Sequence, residues 1–165
     1  MSGVVHQSFP PVVDERTETL ILGSMPGALS LERAQYYAHP HNQFWRLVGS
    51  LIEIDLPALP YPDRCQALLR NKVGLWDVFK SCTREGSLDA AIRDAEPNDL
   101  PGLAARLPRL RLIAFNGGTA AKSGQRVLTE NRVPLAALPS SSPAYTLAFE
   151  EKRKRWAEAL RAPAT

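Results

Sequence analysis

Apolar residues gather in four short runs, Leu20–Leu22, Val73–Phe79, Leu110–Phe115 and Val133–Leu138, most of them closed by glycine, proline or polar residues. Runs of this length without strict alternation suit strands covered on both faces, as in a parallel sheet. Between them the period changes. Phe44, Leu47, Val48, Leu51 and Ile52 recur at helical spacing, which predicts a helix. Pro57, Pro60 and Pro62 mark a connector, after which Asp63 is placed to cap a short helix through Asn71. Thr119–Asn131 lacks strand alternation and reads as a helix. Thr146–Arg161 sets Phe149, Trp156 and Leu160 on one helical face, with Lys152, Arg153 and Arg155 mostly elsewhere as a solvated basic stretch. Residues 1–16 are polar and contain proline, so they are expected to be a partly ordered lead-in. Strands separated by helices predict one α/β domain over residues 1–165. It has three layers, a central four-stranded parallel sheet with helices on both faces.

The bulk composition narrows the classes. With 165 residues, 44% of them hydrophobic, the chain can bury the core of one domain. A net charge of +3 permits an anionic partner without requiring one. Cys65 and Cys82 have no close cysteine or histidine companion, so neither a disulfide framework nor a four-cysteine metal or iron-sulfur site can be built. The first residues lack a basic start followed by an apolar core, and no stretch approaches the ~18 apolar residues that span a bilayer. The expectation is a reduced, cytoplasmic protein without membrane, metal or cofactor.

Ligands of such sheets bind beyond the carboxyl ends of the strands. Gly23–Gly27, Asp77–Arg84, Asn116–Thr119 and Ser140–Tyr145 all fall there. Gly23 and Gly27 let backbone approach a ligand closely, Tyr37 offers a flat face, and Asn42 carries a donor and an acceptor. These are parts for gripping a planar heterocycle. The dinucleotide pattern G-x-G-x-x-G is absent after the strand, and so is the nucleophile elbow G-x-S-x-G that Ser24, His39 and Asp77 would need as a hydrolase triad. Other readings stay open. Asn42 could cap the helix at Gln43–Phe44–Trp45, Asp77 could act as a cap or pair with Arg84, and Asn116–Thr119 could bind phosphate or, as the simpler reading, cap a helix. Tyr36 suits packing; of Phe44 and Trp45, one is expected in the core and the other in the pocket wall. His39 and His41 have no third ligand nearby for a metal.

Three segments in this order, Gly23-Ser24-Met25-Pro26-Gly27, His39-Pro40-His41-Asn42-Gln43-Phe44-Trp45 and Leu138-Pro139-Ser140-Ser141-Ser142-Pro143-Ala144, frame roughly residues 19–146. In these the chain resembles the uracil-DNA glycosylase superfamily, in particular its hypoxanthine branch and the neighbouring mismatch-specific uracil glycosylases. The resemblance implies a monomeric, monofunctional enzyme that flips a deaminated base, hypoxanthine or uracil, out of double-stranded DNA and hydrolyses its N-glycosidic bond. It implies that Asn42 places water and that Ser24 and backbone amides stabilise the departing base. Gly23, Met25, Pro26, Gly27, Tyr37, His39, Phe44 and Asp77 would hold that base, with stacking on Tyr37 worth roughly 1–3 kcal/mol. Met25 stands where the superfamily often has a carboxylate or amide, a departure the hypoxanthine branch shares, with Asn42 as the replacement. Ser140, Ser141, Ser142, Pro143, Ala144 and Tyr145 would contact DNA, Tyr145 as a wedge, and Lys80 would be a support or phosphate contact. The motifs contain no lysine for a Schiff base, so an intact abasic site is expected. Two alternatives remain: a non-catalytic DNA- or nucleotide-binding module, suggested by Met25, and a small-molecule hydrolase using Ser24.

Overall fold

The computed structural model describes residues 4–130 and 132–161. In chain order its strands are β1 Val5–Gln7, β2 Thr19–Gly23, β3 Val73–Asp77, β4 Phe79–Thr83, β5 Arg93–Pro97, β6 Leu112–Asn116 and β7 Leu135–Leu138. The α-helices are α1 Ala28–Arg33, α2 Phe44–Ile52, α3 Tyr61–Arg70, α4 Leu100–Arg106, α5 Gly118–Val127 and α6 Phe149–Leu160.

The expected parallel sheet is present in the order β3-β2-β6-β7. Its strands are short and apolar because both faces are covered. Leu20, Leu22, Trp76, Ile113 and Phe115 point into a core shared with Leu100 and Leu103 of α4 and Ala120 and Ala121 of α5. Ile21, Leu75 and Ala114 point the other way, into a core with Phe44, Leu47 and Val48 of α2, Ala67 and Leu68 of α3 and Trp156 of α6. That alternation is the three-layer arrangement. The register pairs Gly23 with Asp77 and Asn116 with Leu138, so four strands end level at one edge.

Several boundaries differ from the sequence reading. The run Val73–Phe79 divides: the parallel strand stops at Asp77, and Phe79 opens β4, which joins an antiparallel sheet β1-β4-β5. Every residue of β5 is exposed, so the strand carries no apolar period. Within the described residues the lead-in is anchored. β1 pairs with β4, Val12 bridges Leu75, the Trp76 indole donates to the Phe9 carbonyl at 2.9 Å, and the Tyr36 hydroxyl donates to the Pro10 carbonyl at 2.9 Å. Residues 1–3 lie outside the described residues. α3 begins at Tyr61 behind Pro60, so Asp63 sits in its first turn instead of capping it. α5 ends at Val127; Asn131 lies outside the described residues.

Candidate active site

The level strand ends open into a cavity of about 470 Å³, a volume in the range of small-ligand sites. β2 delivers Gly23–Gly27, β3 delivers Asp77, β6 delivers Asn116, and β7 runs into Ser140–Tyr145; all of these line the cavity, as do Tyr37, His39 and Asn42. Glycine at 23 is required by close approach. A Cβ there would sit 2.6 Å from Asp77 Oδ1 and 2.8 Å from the Tyr37 hydroxyl.

One wall is built by the segment Tyr36–Gln43 and the serine loop. Tyr37 adopts a left-handed backbone (φ 53°), uncommon for a bulky residue. The Trp45 indole holds it by donating to the carbonyls of Tyr36 and Tyr37, each at 3.2 Å. The Tyr37 ring stacks on Phe44 at 4.0 Å between centroids. Asn116 Nδ2 donates to the Tyr37 hydroxyl at 3.2 Å and to Ser141 Oγ at 2.9 Å, while its Oδ1 accepts from the Ser141 amide at 2.9 Å. Ser141 Oγ in turn donates to Asn42 Oδ1 at 2.8 Å, and the Phe44 amide donates to the same oxygen at 2.9 Å. Behind this chain lies Lys152 of α6, 1% exposed. Its ammonium donates to Gln43 Oε1 at 2.9 Å and the Ser142 carbonyl at 3.2 Å, and burial pulls its pKa down. The Trp156 indole donates to the Pro139 carbonyl at 2.8 Å, so α6 is the base plate of the loop.

The opposite wall is the first motif with the β4–β5 hairpin folded over it. Ser87 Oγ accepts from the Ala28 amide at 2.9 Å, Ser24 Oγ donates to Asp89 Oδ1 at 2.6 Å, and the buried Arg84 guanidinium donates to the Pro26 carbonyl. Asp77 is 3% exposed and its Oδ2 has no partner. Burial above all, then the negative charge of Asp89, pushes its carboxyl up to about 7 against the opposing pull of Arg84. Burial also raises the Tyr36 and Tyr37 hydroxyls, with Asp77 adding to both.

Not every predicted residue arrives where the sequence suggested. Phe44 and Trp45 are both core residues; Phe44 is 0% exposed and backs Tyr37 without reaching the cavity. Lys80 is exposed on β4 and does not line it. The Ser24 hydroxyl is turned to Asp89. Ser141, 1% exposed, points inward into the amide network instead of out toward phosphate. Ser140 Oγ and Ser142 Oγ accept from the amides of Ser142 and Ala144, each at 3.1 Å. Asn42 lies one place before the α2 cap residue Gln43, yet its carbonyl satisfies the Phe44 amide. Asn116 is a strand residue at the centre of the network, and Gly117 (φ 98°) precedes α5 in its place. Asp77 makes no ion pair with Arg84. Lys152 is buried, unlike the solvated residue the helical projection implied. Pro143, Ala144 and Tyr145 line the mouth, Tyr145 43% exposed. His39 also lines the cavity; its Nδ1 accepts from the His41 amide at 3.1 Å. Among the described residues no group of His, Cys, Asp or Glu could hold a metal ion. Sequence reasoning missed Asp89 altogether.

Fold and cavity together define an α/β protein with a small-ligand pocket at the carboxyl edge of its parallel sheet. The family model of the uracil DNA glycosylase superfamily matches residues 10–162, and the chain belongs to that superfamily. It is 47% identical over 157 residues to a protein of Methanosarcina barkeri named hypoxanthine DNA glycosylase, covering 94% of this chain and 98% of the relative. A protein of the same name from Methanosarcina acetivorans is 42% identical over 158 residues, covering 96% and 99%. The fold also matches a solution NMR structure from Methanosarcina acetivorans, provisionally described as a uracil DNA glycosylase, with a TM-score of 0.86, 42% identity and coverage of 96% and 98%.

Proposed function

We propose that this protein is a monofunctional DNA glycosylase that removes deaminated bases, hypoxanthine foremost, from double-stranded DNA by hydrolysing the N-glycosidic bond. The observation that carries the reading is the convergence of Tyr37, Asn42 and Asp77 on one cavity large enough to admit a base, in a chain of this superfamily. Stacked inside a duplex, the sugar carbon and the base edge are out of reach, so the nucleotide must swing out. Tyr37, backed by Phe44, stacks against the extruded base. Asp77 meets its polar edge. A carboxyl poised to hold its proton offers one O–H donor and one C=O acceptor, which complements the adjacent O6 acceptor and N1–H donor of hypoxanthine. Backbone amides of Gly23–Gly27 stabilise charge on the departing base.

Asn42 directs the water. Its carbonyl oxygen holds the Phe44 amide and the Ser141 hydroxyl. Rotation of that hydroxyl proton frees one lone pair for water, while the Phe44 bond keeps the amide in place. Among the described residues no lysine lines the cavity, Lys80 included, and Lys152 is committed to Gln43 and Ser142 behind the loop, so the product expected is an intact abasic site. Both cysteines are free, which supports a reducing compartment, the cytoplasm. No helix among the described residues is long and apolar enough to cross a membrane.

Met25, 6% exposed in the first motif, favours one competitor, a DNA-binding module without chemistry. A gel assay on duplexes containing deoxyinosine or deoxyuridine separates the two. Strand scission that appears only after alkali is the expected result, strongest on deoxyinosine. Binding without alkali-labile product on either duplex would leave the module.

A further inference from the structure

A thioether neither accepts a proton nor carries charge, so Met25 leaves the first motif without the group it would supply. Glycosidic hydrolysis passes through an oxocarbenium-like state and calls for negative charge and a proton acceptor beside the sugar. Asn42 is neutral and supplies neither. Among the described residues that line the cavity, the carboxyls are Asp77 and Asp89.

Their surroundings divide them. Asp77 is buried, lacks a partner on Oδ2, and is faced by Asp89, Arg84, Tyr36 and Tyr37; its proton is retained up to about neutral pH. Asp89 opens a short 3₁₀ turn at the exposed mouth, and its negative charge is one cause of the shift at Asp77. Two carboxyls in one cavity, one buried and one at the exposed mouth, suit different chemical tasks. Asp89 is also fixed in place. Ser24 donates to its Oδ1 at 2.6 Å, one residue from Met25, and the Arg84–Pro26 and Ser87–Ala28 bonds pin the hairpin to the end of the first motif and the start of α1.

We propose that Asp89, carried over the first motif by the β4–β5 hairpin, is the catalytic carboxylate of this pocket, with Ser24 as the residue that positions it. The proposal rests on the glycosylase reading. As the bond from C1′ to N9 breaks, its electron pair leaves with the base and positive charge develops at C1′ and the ring oxygen, where Asp89 offsets it. Water held by Asn42 on the opposite wall then adds through oxygen to C1′. The proton this water loses passes to solvent, the other stays on the new hydroxyl, and Asp89 acts through its charge on the oxocarbenium-like sugar. The base anion takes one proton up from solvent, so the sum is deoxyinosine site plus water giving abasic site plus hypoxanthine.

The test is single-turnover excision from a deoxyinosine duplex with enzyme in excess, alongside binding to a duplex bearing a tetrahydrofuran abasic analogue. Asp89→Asn, which keeps shape and the Ser24 bond, is expected to lower the excision rate by at least ~100-fold while analogue binding changes less than about threefold. Ser24→Ala is expected to lower the rate by about tenfold with the same binding. Met25→Asp in the Asp89→Asn background is expected to recover part of the rate, a gain that no loss of folding can imitate. Excision by Asp89→Asn within about threefold of the parent overturns the proposal, and so does an equal loss of excision and analogue binding. A parent protein that excises no deaminated base sinks the glycosylase reading itself, whatever Asp89→Asn does.

Discussion

The two walls of the pocket differ in how completely their polar groups are matched. On the serine-loop side Asn42, Gln43, Asn116, Ser141 and Lys152 are bonded to one another or to loop backbone. On the first-motif side Asp77 Oδ2 and the Nε and Nη1 atoms of Arg84 are buried with no partner. A buried polar group left unpaired costs roughly 1–3 kcal/mol, and native proteins retain such groups chiefly where something else completes them. One wall is a finished scaffold that fixes distances. The other leaves Asp77, which lines the cavity, short of a partner, and on the proposed glycosylase reading the base supplies it; Arg84 lies outside the cavity lining. Rigidity and recognition are thus divided between the sides of one cavity.

Breaking the finished wall at its reacting end should have the largest effect. Asn42→Ala is expected to lower turnover by at least ~100-fold with DNA binding nearly intact, since the contact proposed for it is made in the transition state. Near-native turnover would remove Asn42 from the chemistry.

The first-motif wall carries a cost that pH exposes. The folded carboxyl of Asp77 sits at about 7 against an ordinary 3.8, so the native state binds more protons than the unfolded chain between those values. A raised acid therefore gives stability that is full at low pH and declines as pH climbs through that window, by up to about 1.4 kcal/mol per unit, then levels off. Denaturant melts of the parent and Asp77→Asn from pH 4 to pH 8 should diverge in that direction. Parallel curves would mean an ordinary, solvated carboxylate.

Ser141→Ala sharpens the comparison from the scaffold side. With its hydroxyl inside the network, the change should slow excision by about tenfold through Asn42 and leave affinity for undamaged duplex nearly unchanged. Uniform weakening on every DNA would place that hydroxyl on phosphate instead. The smallest effect belongs to the rim. Tyr145→Ala should weaken binding to damaged duplex by a few-fold and spare undamaged duplex, because a wedge acts once the base has left the stack. Equal effects on both would leave the loop as a backbone contact.

The parallel sheet and the segments at its edge were legible in the sequence because burial on both faces leaves unbroken apolar runs, and ligands gather where such strands end. What was not legible depends on contacts distant in sequence. β5, exposed at every residue, has no apolar signal, and reading Val73–Phe79 as one strand concealed the hairpin that brings Asp89 over Ser24. Lys152 looks like any basic helix residue until Gln43, 109 positions away, supplies its acceptor. A serine-rich loop has the same composition whether its hydroxyls face DNA or, as at Ser141, the interior. Met25 was visible as a gap; only the fold shows that a carboxylate, Asp89, is bonded to its neighbour Ser24.

The most direct test of the divided pocket is the pH dependence of single-turnover deoxyinosine excision by the parent and by Asp77→Asn. If a protonated Asp77 meets the base edge, the parent rate should fall by about tenfold per unit above a pH near 7. The asparagine variant, whose amide always offers a donor and an acceptor, should stay active with that alkaline decline abolished. An unchanged alkaline limb in Asp77→Asn, or excision lost at every pH with the fold intact, would contradict it.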